Sequence, residues 1–270
     1  MILPRVFLFC LSVLATSAAL AQTKPFERVA ATYDRKAAAD KTAEAAIDRI
    51  RGYVEKRDLK SIGAMLSKDF TAIRCPHDPT TECLPGKPGV EAPSSKLTPV
   101  QRMEQGMCCI GTPFAKASRK LITDTILERM DGSLSTDLIA GHPELPNAIC
   151  APAVPTMDRI QTKAMLQATG ADPRNLRVTD DPIVLREKPA RNAPVAATIP
   201  AGTLVAFMMR ESQTLPAGWL GIAMPQGGVG YQDTSLSANN EFDPRPPSLC
   251  IAREGAAWKI SLYVERDTRP

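Results

Sequence analysis

Apolar positions change their spacing about two-thirds of the way along the chain. From Ala37 to about Arg57, Ala43, Ile47, Ile50 and Val54 recur every three or four residues within a run of good helix formers. Asp58 is an N-cap residue, and behind it Leu59, Ile62 and Leu66 make a second stripe leading into Asp69-Phe70-Thr-Ala-Ile73. The spacing predicts two amphipathic helices packed as a hairpin, whose mixed acidic and basic polar faces are unlike those of membrane-surface helices. Thr98-Pro-Val-Gln opens a short helix reaching Gly106. Ser118 to Met130 is another, with Ile122, Ile126 and Met130 as its inner line and Asp131-Gly132 at its end. Prolines 76, 79, 85, 88, 93 and 99 deny a helix between residues 74 and 99, and Pro143 to Pro155 reads as an extended crossing. Thr156 to Ala168 predicts one more helix, ended by Gly170.

From Val178 the period shortens to two. Ile183 and Leu185 alternate with Val184 and Arg186, and Val195-Ala-Ala-Thr-Ile, Gly218-Trp-Leu-Gly-Ile and Gly230-Tyr-Gln follow, cut by Asn192-Ala-Pro194, Pro200-Ala-Gly202 and Gly227-Gly228. Short β-type runs broken this often predict a small antiparallel barrel. Leu249 and Ile251, the turn at Glu254-Gly255, then Trp258, Ile260, Leu262 and Val264 predict a closing hairpin. The expected fold is α+β: a helical N-terminal region over 30–172, packed on a barrel extended by its hairpin over 176–267. Asp172-Pro-Arg-Asn175 is the linker candidate between them.

The first 21 residues belong to neither part. One basic side chain, Arg5, precedes the apolar run Val6 to Ala15, and Ala19-Leu-Ala21 is a small-x-small cleavage site. The run is too short to span a bilayer, which needs about 20 apolar residues, and no later stretch is longer. A signal peptide cut after Ala21 implies a periplasmic or secreted protein without a membrane span.

Charge excludes one partner class. The chain has 33 Lys and Arg against 29 Asp and Glu, interspersed with no basic run, and its aromatic content is only 5%. Nucleic acid is not the expected partner. Six cysteines remain after the signal: Cys75, Cys83, Cys108, Cys109, Cys150 and Cys250. In an exported chain an even count reads as disulfides first. Cys150 and Cys250 bracket the barrel and predict a bridge across a loop of about 100 residues. Cys75 and Cys83, which tie down the proline-rich loop, are expected to pair across to Cys108 and Cys109, because adjacent cysteines bridge one another only with strain. Cys75, His77 and Cys83 with Cys108-Cys109 match no zinc spacing, so no metal and no cofactor is expected.

The residues Val184-Leu-Arg-Glu-Lys-Pro189, Val195 to Gly202, Gly218-Trp219-Leu-Gly-Ile222 and Gly230-Tyr231 resemble a bacterial SH3 (SH3b) domain. The wider frame, with Cys150-Ala-Pro152 before the barrel and Ala257-Trp-Lys-Ile after it, is similar to exported SH3b proteins of undefined role. The resemblance implies an SH3-like barrel in the cell envelope that binds a peptide or a peptidoglycan component. Trp219 and Tyr231 are then the aromatic anchors, and Arg186 and Arg210 are placed to meet a peptide carboxylate. The insertion Met208–Pro216 alters the rim of such a site. Ile47 to Phe70 and Gly255 to Val264 also look like the opening helices and last strand of an NTF2-like fold, which would make the helical part the partner-binding surface and the barrel structural.

No catalytic constellation is legible. The two histidines, His77 and His142, each lie beside a proline, and the chain has no nucleophile elbow, zinc helix or phosphate loop. A hydrolase, or an inhibitor of one, would have to act through the Cys75–Cys83 loop, with Cys75 as a thiolate beside His77. The leading expectation is a non-enzymatic envelope protein.

Overall fold

The structure, a computed structural model, describes residues 23–266 apart from 39, 77, 109–116, 236–240 and 245. The expected signal peptide, together with His77 and Cys109, falls outside the described residues. Strand β1 (Ala31–Thr32) and one helical turn, α1 (Arg35–Ala38), precede α2 (Lys41–Glu55), α3 (Leu59–Met65) and strand β2 (Leu66–Cys75). Next come α4 (Pro99–Met107), α5 (Arg119–Leu134), β3 (Ala140–His142), β4 (Leu145–Ala151), β5 (Thr156–Met157) and α6 (Arg159–Thr169). Then follow β6 (Leu176–Thr179), β7 (Ile183–Arg186), β8 (Val195–Ile199), β9 (Leu204–Ala206), a short α7 (Met209–Ser212), β10 (Trp219–Ala223) and β11 (Val229–Asp233). The chain ends in β12 (Glu241–Phe242), β13 (Ser248–Glu254) and β14 (Ala257–Arg266).

The helices start where capping residues satisfy their first N–H groups. Asp40 accepts from the Thr42 N–H and Asp58 from that of Ser61; Ser118 accepts from Leu121, and Thr98 forms a reciprocal capping box with Gln101. Helix α5 keeps the predicted inner line of Ile122, Ile126 and Met130 but runs through Gly132 to Leu134. Ser133 and Leu134 are buried there, and that packing outweighs the roughly 1 kcal/mol helix penalty of a glycine. Gly170, in the left-handed conformation at φ 64°, ends α6 as its spacing predicted.

Two sheet systems organise the fold. The larger is five-stranded in the order β2-β14-β13-β4-β3, with β2 and β14 parallel and the remaining pairs antiparallel. Helices α2 to α5 cover one face, where Ile47, Ile50, Met103, Ile126 and Met130 meet Phe70, Leu249, Ile251, Ile260 and Tyr263. The other face buries Ile73, Leu262 and Val264 against Cys75, Cys83, Cys150 and Cys250. The closing hairpin is therefore not an extension of the barrel segment. β13 and β14 are the middle strands of the N-terminal sheet, and covering on both faces explains their near-continuous apolar sequence. The region 30–172 is correspondingly not purely helical, since it contributes β2, β3 and β4 to that sheet.

The smaller system, residues 176–242, is inserted between β4 and β13. It consists of a four-stranded sheet, β10-β11-β7-β8, and a three-stranded one, β12-β6-β9. Ile183, Leu185, Ile199, Val205, Phe207 and Ile222 form one apolar cluster within it. Among the described residues the isolated bridge from Phe207 to Ile222 joins the two sheets, and neither closes on itself into a barrel. The predicted alternation holds in β7: Ile183 and Leu185 are buried while Val184 is exposed.

The segment 23–34 is stitched to this inserted part. Leu204 donates its N–H to the Val29 carbonyl and Ala31 donates to that of Gly202, while Thr23 and Gly228 exchange two bonds. Val29 and Ala31 join Met165, Leu176, Val178 and Leu204 in a second apolar cluster. Isolated bridges from Ala30 to Thr203 and from Asp34 to Gly141 place both sheet systems within reach of one short stretch. The expected linker, 172–175, is a 3-10 turn capped by Asp172, with the Asn175 carbonyl accepting from Phe207.

Candidate functional site

Three of the four residues expected to meet a peptide lie on one face of the four-stranded sheet. Tyr231 on β11 stands opposite Arg186 on β7, and Arg186 stands opposite Val195 on β8. On the other side Tyr231 faces Gly221, two residues from Trp219, so Trp219 shares the face of Tyr231 as its diagonal neighbour. Gly221 puts no side chain between the two rings. Trp219, Tyr231 and Arg186 are half-buried, and Val184 and Val195 on the same surface are 47% and 55% exposed. Val195 was absent from the residues expected there: by parity with the buried Ile199 it would face inward, and only the register shift between Leu185 and Arg186 turns it onto the face of Arg186. Phe207 is in the apolar core and offers no surface ring.

The polar groups around this face have partners within the protein, Arg186 through one of its three guanidinium nitrogens. Arg186 Nη1 donates to the Ala193 carbonyl at 2.6 Å, which folds its guanidinium back on the β7–β8 turn. Arg191 donates to Asp233 at 2.8 Å, and the Ser235 hydroxyl followed by Arg191 holds the Asp233 carboxyl below its ordinary range. The insertion at 208–216 forms α7 and closes the β10 edge: Met208 N–H donates to the Gly221 carbonyl, and Gly221 N–H donates to Ser212 Oγ. The Arg210 side chain lies outside what the structure describes.

The cysteines are arranged differently from the expected scheme in one respect. Cys150 and Cys250 are bonded, as the sequence suggested, and sit directly opposite each other on β4 and β13 with Cα atoms 4.0 Å apart. Cys75 and Cys83 bond to each other, not across to Cys108 and Cys109. The proline-rich loop turns back at once, bringing their Cα atoms to 5.6 Å, so the short local closure is satisfied first. Cys108 is also disulfide-bonded. With both sulfurs of the 75–83 loop oxidised and buried, no thiolate is present for the catalytic role considered for Cys75. Among the described residues no three metal-ligating side chains converge, and no helix is long and apolar enough to cross a membrane.

A cleft of about 440 Å³ opens beside that loop. Its walls come from Pro79 and Cys83, the β3–β4 turn (His142 to Glu144), the crossing and α6 start (Val154 to Ile160), Pro244 and Val264. Neither Trp219 nor Tyr231 lines it. None of its polar residues was picked out in the sequence as a ligand-binding group, because they come from segments far apart in the chain.

No family model matches the chain, and no curated protein and no solved structure matches it.

Proposed function

We propose that the protein is a non-catalytic, exported component of the cell envelope that binds a short peptide, such as a peptidoglycan stem peptide, through an SH3b-like inserted unit. The observation that carries this reading is the row Val195, Arg186, Tyr231, with Trp219 alongside, on the open face of the four-stranded sheet. Two aromatic rings separated by a glycine make a flat apolar platform, and an arginine at its border suits a peptide carboxylate. The two disulfides support an oxidising compartment, which agrees with the leader expected from residues 1–21.

The test is co-sedimentation of the whole mature chain with purified peptidoglycan, followed by calorimetric titration with a stem tetrapeptide. The whole chain is required because residues 248–266 complete the other sheet. Saturable binding that falls at least tenfold in Trp219→Ala and Tyr231→Ala is expected, with Arg186→Ala discriminating against amidated peptides. Equal binding by the wild type and all three variants would remove this face from the function.

A further inference from the structure

The cleft beside the Cys75–Cys83 loop has features that the sheet face lacks. Its volume, about 440 Å³, falls within the roughly 300–1,000 Å³ usual for small-molecule sites, and it lies where two parts of the fold meet, a common place for such sites. Pro79, Pro143, Val154, Pro155, Met157 and Val264 give it an apolar lining. At its lip stands Ile160, the first-turn residue of α6, whose side chain is 82% exposed. The other exposed large apolar residues range from 41% to 55%. An isoleucine left this open beside an apolar cleft marks a surface that gains from being covered.

Charge then narrows what would cover it. Glu144 is committed: it pairs with Arg159 and accepts the Cys83 N–H at 3.3 Å. Arg159 also reaches Glu82 at 3.3 Å, and Glu82 pairs with Lys87. Two nitrogens of the guanidinium thus already face carboxylates of the protein, which offset its charge. Asp158 differs. Its Oδ1 caps α6 by accepting from the N–H groups of Ile160 and Gln161, whereas Oδ2 has no partner among the described residues. The carboxylate is exposed at the cleft and adjoins Ile160, so among the described residues the lining offers a cation one open carboxylate oxygen beside its apolar surface.

We propose that this cleft binds a small amphipathic amine. Its apolar body sits on Pro143, Val154, Pro155 and Met157 and covers Ile160, and its ammonium group meets Asp158. The site is separate from the sheet face, and neither assignment depends on the other.

The test is a calorimetric and NMR titration of the whole mature chain, at low ionic strength, with 4-phenylbutylamine. The neutral 4-phenylbutan-1-ol and the anionic 4-phenylbutyrate share its apolar body and serve as comparisons. The amine should bind saturably at one site and most tightly, the alcohol about threefold to fivefold more weakly, and the acid weakest. Ile160→Ser should weaken all three by about tenfold, the scale of losing most of one buried aliphatic side chain. Asp158→Asn keeps the N-cap, since asparagine caps as well as aspartate, and should abolish the preference for amine over alcohol while leaving alcohol binding unchanged. Both variants alter exposed side chains, so an unchanged melting temperature confirms that each is folded. Binding of the acid as tight as the amine, or an Ile160→Ser titration that matches the wild type, overturns the assignment.

Discussion

Removing the Cys150–Cys250 bridge tests how the two sheet systems hold one another. The bridge joins residues 100 apart, and the loop it closes contains the entire inserted unit. In the chain-entropy treatment such a loop restricts the unfolded state by about 4.7 kcal/mol, against about 2.5 kcal/mol for the separation of 8 between Cys75 and Cys83. Both pairs are buried, so each double Cys→Ala variant also loses a similar amount of packing, and the difference between them isolates the loop. Cys150→Ala with Cys250→Ala should therefore cost about 2 kcal/mol more than Cys75→Ala with Cys83→Ala. In guanidinium chloride the longer-loop variant should unfold about 1 M earlier than the wild type. The chain has two tryptophans, Trp219 in the inserted unit and Trp258 in β14, so Trp219→Phe and Trp258→Phe backgrounds report each part separately by fluorescence. With the bridge intact the two transitions should coincide, and without it the Trp219 signal should be lost first. Equal losses in the two double variants would refute the entropic account and imply that β4 and β13 stay together in the unfolded chain.

Three further outcomes follow from the packing. Arg102, 7% exposed, donates from its three guanidinium nitrogens to the carbonyls of Phe70, Ser95, Leu97 and Lys68, with no carboxylate among these partners. Arg102→Lys cannot span that set and should cost about 3 kcal/mol, measured by thermal melting. At Gly106 a Cβ would stand 2.5 Å from the Ala72 Cβ and 3.0 Å from the Ala72 carbonyl oxygen, so Gly106→Ala should destabilise by about 1–3 kcal/mol in chemical denaturation despite alanine's better helix propensity. The carboxyls of Asp40, Asp58, Glu82 and Asp233 are all held below their ordinary range, chiefly by hydrogen bonds from Thr42, Ser61, Lys87 and Ser235 respectively. Groups with depressed folded-state values stabilise the fold above about pH 4 and lose that contribution as pH falls further, so melting temperature should be flat from pH 7 to 5 and drop below 4. A rise in melting temperature on acidification through pH 4 would contradict those pairings.

The parts of the fold that were legible in the sequence are the local ones. The stripe Ala43, Ile47, Ile50, Val54 and the alternation about Ile183 and Leu185 each express the periodicity of a single element, and both elements bury the faces they should. The parallel pairing of β14 with β2 was not legible. It sets Val264 beside Ile73 over most of the length of the chain, and neither sequence carries a mark of the other. Leu249, Ile251, Trp258 and Ile260 suit an extended barrel as well as a central hairpin, because alternation specifies a strand and not its neighbour. Trp219 and Tyr231, expected as anchors from the family resemblance, share one sheet face because the β10–β11 hairpin fixes their register at short range. The cleft was not found, because Cys83, His142, Asp158 and Pro244 converge only once the crossing and the disulfide loop are in place.

The position of β14 between β2 and β13 also dictates an order of events during synthesis. When the inserted unit has been made and residues 248–266 have not, β2 and β4 stand apart with the place of both central strands vacant. Helices α2 to α5 then lack Leu249, Ile251, Ile260 and Tyr263, against which they pack. The N-terminal part of the chain is thus the last to be completed. A shortened product ending before Ser248 would leave the apolar floor of those helices exposed, the condition that favours aggregation and proteolysis.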